Sequence, residues 1–148
     1  MTIKDYLNRA RILDAQINRH LHELEYWRGI SRGLSGCGYE AGGSTNRSSE
    51  PVFVKCAGII IELEKKINYE IDELIEVKNS ILTCIQHLDS LDHCKVLELR
   101  YLRFRTWEQI AEELGFSKRW VYKLHGQALK KLDTIIHKNS QKDILKSP

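Results

Sequence analysis

A chain of 148 residues with 42% hydrophobic and 29% charged side chains suits one compact domain, or a small domain with an extension, and its ordinary apolar content excludes global disorder. No run of about 18 apolar residues occurs, which excludes a membrane span, and the N-terminal MTIKDYLNRARILDAQ lacks a signal peptide's apolar stretch, so a cytoplasmic protein is expected. The net charge of +3 hides an asymmetry: residues 1–94 carry 11 basic and 14 acidic side chains, residues 95–148 carry 12 and 6, which predicts one polyanion-facing end and one end that faces something else.

In chain order, residues 2–28 read as one helix. Ile3, Leu7, Ala10, Ile17, Leu21 and Leu24 alternate spacings of three and four, the pattern of a heptad seam. Thr2, three residues before Asp5, can start it. Asp14 interrupts the seam, and Leu13 beside it can rotate in. Residues 29–51 hold six Gly and five Ser without periodicity, the composition of a flexible linker. The helical pattern resumes over 52–88 with Phe53, Ala57, Ile60, Ile67, Ile71, Leu74, Ile81, Ile85 and Leu88, with Pro51 near its start and Glu64 and Lys78 at seam positions. At about 1.5 Å per residue this helix is roughly 55 Å long. Two amphipathic helices joined by a loop fold back most simply as an antiparallel hairpin. Its apolar stripe outruns what a domain of about 45 residues can cover, so a homodimer through the N-terminal helices is expected.

Three shorter helices follow Leu88. The first covers about Asp92 to Leu102, with Val96, Leu97, Leu99, Tyr101 and Leu102 supplying apolar faces. The second runs from about Trp107 to Leu114, and Thr106 with Gln109 forms a capping box in front of it. Ile110, Ala111 and Leu114 face inward. Gly115 can take positive φ and end the helix, Phe116 anchors the turn, and Ser117 caps the third helix. That helix runs to about Leu132, with Val121, Leu124, Ala128, Leu129 and Leu132 buried. Residues 133–148 read as a polar tail. The fold class is therefore all-α: a long, coiled-coil-like antiparallel hairpin (1–88) followed by a three-helix helix-turn-helix domain (89–132).

The outer face of the third helix is basic, as a helix entering a major groove about 12 Å wide requires. Lys118, Arg119 and Lys123 lie in its first two turns, where Lys and Arg donate to guanine O6 and N7, and are the expected base readers. Tyr122, Lys130 and Lys131 are placed for phosphate, and Thr106, Trp107 and Ser117 for the backbone beside them. Trp120 either stacks on DNA or roofs the helix junction with Phe104, the commoner role for an aromatic at helical spacing.

The segment LDHCKVLELRYLRFRTWEQIAEELGFSKRWVYKLHGQALKKL resembles region 4 of bacterial sigma factors. The shared features are the VLELRYL helix, the T-x-x-Q-I-A helix, the LGFS turn and the S-x-x-x-V-x-x-L-x-x-x-A-L-x-x-L recognition helix. The chain has no room for a region 2. Where that family places Arg, Glu and Gln at base-reading positions, this chain has Lys118, Arg119 and Lys123, so a different target from the −35 sequence is expected. The layout is similar to the RinA- and ArpU-like late regulators of Gram-positive prophages, which implies control of late phage genes. The expected function is a sequence-specific DNA-binding transcriptional regulator with double-stranded DNA as partner. The alternative is an adaptor that docks its sigma-like module on RNA polymerase with little DNA specificity.

No P-loop, HExxH or G-x-S-x-G occurs, and the six His are scattered, so no enzyme and no cofactor are expected. His20 and His22 read as exposed helix residues. Cys37, Cys56, Cys84 and Cys94 form no CxxC and are expected to be reduced thiols. Cys84-x-x-His87 with His93-Cys94 has irregular spacing for zinc, and no metal is expected.

Overall fold

The computed structural model describes residues 1–37 and 51–145, and all the regular structure in them is helical. Helix α1 is Ile3–Cys37 and α2 is Val52–Ile85. Helix α3, Leu91–Leu97, continues as a π-helical turn, Glu98–Leu102. Helix α4 is Trp107–Leu114 and α5 is Lys118–Leu145. No described helix is long and apolar enough to cross a membrane.

Helix α1 begins as its cap predicts: the Asp5 amide donates to Thr2 Oγ1 at 3.2 Å, and the Thr2 amide and hydroxyl donate to Asp5 Oδ2 at 3.0 and 2.7 Å. It does not stop at Arg28. The helix continues through Gly29 and Gly33 to Cys37, because extending a nucleated helix through Gly costs only about 1 kcal/mol per residue. Residues 29–37 are therefore helix, not linker, and residues 38–50 of the expected linker lie outside the described residues.

The chain divides into two compact units, Leu13–Glu73 and Met1–Ile12 with Leu74–Pro148. The division lies inside the long helices and not at Leu88, so the first turns of α1 and the last turns of α2 belong with the short helices. Within Leu13–Glu73, α1 and α2 run antiparallel: Gln16 and His20 bond Glu70, while Arg28 bonds Glu64. The buried stripe there is Ile17, His20 and Leu24 against Cys56, Leu63, Ile67 and Glu70.

This stripe corrects the expected seam. Ile67, Ile81 and Ile85 are buried as expected and Ile60 and Leu74 half-buried, but Phe53 is exposed, and Cys56, Leu63, Glu70 and Val77 are buried in place of Ala57, Glu64, Ile71 and Lys78. Ile71 is 37% exposed and Leu21 43%. His20 is buried, not exposed, and its Nδ1 lies 2.8 Å from Glu70 Oε2. A charged residue took the seam position because a partner on α1 satisfies it there.

In the second unit, Leu7, Ala10, Val77, Ile81, Ile85 and Leu88 are buried, and the Tyr6 hydroxyl lies 2.7 Å from Ser80 Oγ. Ser90 caps α3, its Oγ accepting the His93 amide. Val96, Leu99, Ile110, Val121 and Leu124 form the core of the short helices, with Trp107, Ala111, Leu114 and Phe116 packed around it. Two residues after the π turn, Phe104 has a φ of 57°, the left-handed position that closes a helix. There the Arg105 amide donates to Leu99 O at 2.9 Å. Helix α5 does not end at Leu132 but runs to Leu145, so residues 133–145 are helix and not a tail. No breaker precedes Pro148, and Ile135 and Ile136 are half-buried.

Candidate nucleic-acid interface

Three local signals set the geometry of the turn between α4 and α5. The Gln109 amide donates to Thr106 Oγ1 at 3.2 Å, and the Thr106 amide donates to Gln109 Oε1 at 3.0 Å, a complete capping box. Gly115 has φ 69°, a conformation that penalises any residue with a Cβ. The Trp120 amide donates to Ser117 Oγ at 3.2 Å. The Thr106 and Ser117 hydroxyls, expected at the DNA backbone, are thus already engaged as caps. Both residues remain exposed.

The buried face of α5 is Val121, Leu124, His125, Ala128 and Leu132. At about 100° per residue, Arg119, Lys123 and Lys130 lie on one line on the opposite face, and all three are exposed. Lys131 is one residue, about 100°, further round. The three expected base readers do not stand alike. The Lys118 ammonium donates to Glu108 Oε1, ten residues away across the turn. That hydrogen bond holds the Glu108 carboxyl below its usual range and the Lys118 ammonium above its own. Lys118 is therefore paired within the protein, whereas Arg119 and Lys123 make no ion pair among the described residues. Lys123 Nζ lies 5.4 Å over the Trp120 ring. Trp120 does not roof the junction with Phe104: it is exposed, and the cation over the Phe104 ring, at 4.7 Å, is Lys78.

Trp107, expected near the backbone, sits in an aromatic cluster. Its ring is 5.0 Å from Tyr122 and 4.7 Å from His125, and the Arg100 guanidinium lies 4.3 Å over it. Arg100 also donates to Arg105 O at 3.0 Å, which orients the guanidinium. This holds Tyr122 at the edge of the basic face while leaving it half exposed. Sequence reasoning assigned no role to Arg100 or His125; only the packing of α3, α4 and α5 brings them together.

The Tyr101 hydroxyl lies 2.7 Å from His125 Nε2, which suits a neutral imidazole accepting the phenolic proton. Burial, then the nearby Lys4 and Arg100 charges, push His125 down to about 4. The unfolded imidazole takes a proton below about pH 6.5 and the folded one only near pH 4, so stability from this group is complete above 6.5 and is lost as pH falls towards 4. The expected loss is on the order of 2 kcal/mol. Thermal melts across that window should show it, and His125→Gln should flatten the dependence; a variant with an unchanged slope would refute the assignment.

Among the described residues no group of three or more His, Cys, Asp or Glu is placed to hold a metal ion. The Cys94 thiol is directed at the Ile85 and Leu88 carbonyl oxygens, and burial raises both Cys84 and Cys94.

Residues 86–133 match the family model Sigma-70, region 4. The matched segment includes α3, the π turn, α4 and the first half of α5. The match points to a DNA-binding, transcription-related helix-turn-helix within that segment. No curated protein and no solved structure matches the chain.

Proposed function

We propose that the chain is a sequence-specific DNA-binding regulator of transcription that reads the major groove with the N-terminal half of α5. The observation that carries this reading is the line Arg119, Lys123 and Lys130, exposed on the helix face opposite the core and held by a turn with all its caps made. Arg119 and Lys123 are the base readers, with Arg119 donating to guanine as a bidentate fork. Lys130 and Tyr122 serve the phosphates. Lys118 fixes the α4–α5 turn through Glu108 and is released to DNA only at the expense of that pair. The similarity in layout to late prophage regulators supports late phage genes as the target. Val54 and Ile61, one heptad apart and exposed on α2, support a homodimer through the N-terminal helices.

Selection of bound duplexes from a random pool at physiological salt tests this reading. An enriched motif is expected, and two half-sites within it if the protein acts as a dimer. Arg119→Ala should lower affinity for the enriched motif by about 1–3 kcal/mol while leaving random duplex nearly unaffected; equal losses on both would remove Arg119 from base reading.

One observation favours a second reading, in which the region-4-like module docks on RNA polymerase. Glu112 and Glu113 are exposed on α4 beside Gln109, and carboxylates there repel a phosphate backbone while suiting a basic protein surface. Retention of polymerase with no enriched motif would put this reading first.

A further inference from the structure

The first three turns of α1 belong to the same compact unit as the DNA-reading helices. Thr2, Ile3 and Tyr6 line a groove with Asp133, Ile136 and His137 of α5. The Tyr6 hydroxyl ties the segment to Ser80. Lys4 and Arg11 lie seven residues apart on this stretch, hence on one helix face and about 10 Å apart along its axis. Lys4 is exposed and Arg11 half-buried.

Lys4 and Arg100 both act on His125 as positive charges, and Arg11 acts on Arg100 in the same sense. Neither Lys4 nor Arg11 makes an ion pair among the described residues. Of the carboxylates nearby, Asp5 feels the Lys4 charge while accepting from Thr2, Asp133 lies 3.4 Å from His137 Nε2, and Glu108 holds Lys118. The positive charges of Arg11 and Arg100 repel one another in the free protein, and a polyanion relieves that repulsion.

We propose that Lys4 and Arg11 are a second phosphate-gripping element of the DNA interface, contributed by α1 and lying on the Tyr122 side of α5. The proposal rests on the DNA-binding reading and extends the interface beyond the segment that resembles region 4. Both side chains would grip phosphate oxygens, so they add affinity and orientation without reading bases.

The test is the salt dependence of binding by the full chain, measured by fluorescence anisotropy on the selected duplex and on random duplex. Each phosphate that the protein no longer neutralises lowers the slope of log affinity against log salt by about 0.9. Lys4→Gln with Arg11→Gln should therefore lower it by nearly two on both duplexes, with the base preference retained. The charge-keeping pair Lys4→Arg with Arg11→Lys should restore the parent slope. A control pair in the other unit, Arg19→Gln with Lys66→Gln, should leave the slope unchanged. If the neutral pair loses helix content by circular dichroism, Lys4→Gln alone decides, with an expected fall of about one.

A neutral pair with parent helix content and the parent's slope overturns the proposal. If the parent selects a motif and Arg119→Ala loses it while the neutral pair behaves as the parent, only this proposal falls. If the parent shows neither base preference nor salt-dependent binding, the DNA-binding reading and the proposal fall together.

Discussion

Replacing His20 by Ala is expected to lower the unfolding free energy by about 3–5 kcal/mol. His20 and Glu70 are 3% and 5% exposed, and they face one another in an otherwise apolar stripe between α1 and α2. Without the imidazole, the Glu70 carboxyl keeps only Gln16, whose Nε2 lies 3.4 Å from Oε1. Leaving a buried carboxyl with one long hydrogen bond costs far more than the net stabilisation of an ordinary hydrogen bond. The double change His20→Leu with Glu70→Leu removes both polar groups at similar volume, and should recover most of the loss or exceed the parent. Urea unfolding of the three proteins checks this. A single variant within about 1 kcal/mol of the parent would mean that water reaches Glu70 and the pair is not a structural constraint.

The second large effect distinguishes two isoleucines four residues apart on α2. Ile67→Ala should cost about 2–5 kcal/mol, because Ile67 is 4% exposed and its truncation opens a cavity between the helices. Ile71→Ala should cost under about 1 kcal/mol in the monomer, since Ile71 already meets solvent. Equal losses would show that the stripe is in the register expected from the apolar pattern, with Ile71 inside. The same pair bears on self-association. If a second copy covers the outer face of α2, the cost of Ile71→Ala should grow with protein concentration while that of Ile67→Ala stays constant.

These two predictions mark where sequence reading succeeds and where it stops. The helical class, the hairpin sense and the complete turn between α4 and α5 were legible. Thr106 and Gln109, or Ser117 and the Trp120 amide, are three residues apart and satisfy one another whatever surrounds them. The phase of the α2 stripe was not legible. A pattern that counts only apolar residues chooses Ile71 over Glu70, and nothing local to α2 announces that His20 stands opposite. The C-terminal end of α5 was misplaced for a related reason. Composition after Leu132 is polar, yet Ile135 and Ile136 are half-buried, and that burial depends on partners distant in sequence.

The candidate interface divides along the same line. By itself the sequence determined that a capped turn presents a basic helix, because caps and helix faces are set by residues within one or two turns of each other. Only the tertiary structure decided which cations on that helix are available. Glu108 pairs with Lys118 across the turn, while Arg119 and Lys123 make no ion pair among the described residues. A charge's availability depends on which groups lie within a few ångströms of it, and chain folding sets that distance independently of separation along the sequence.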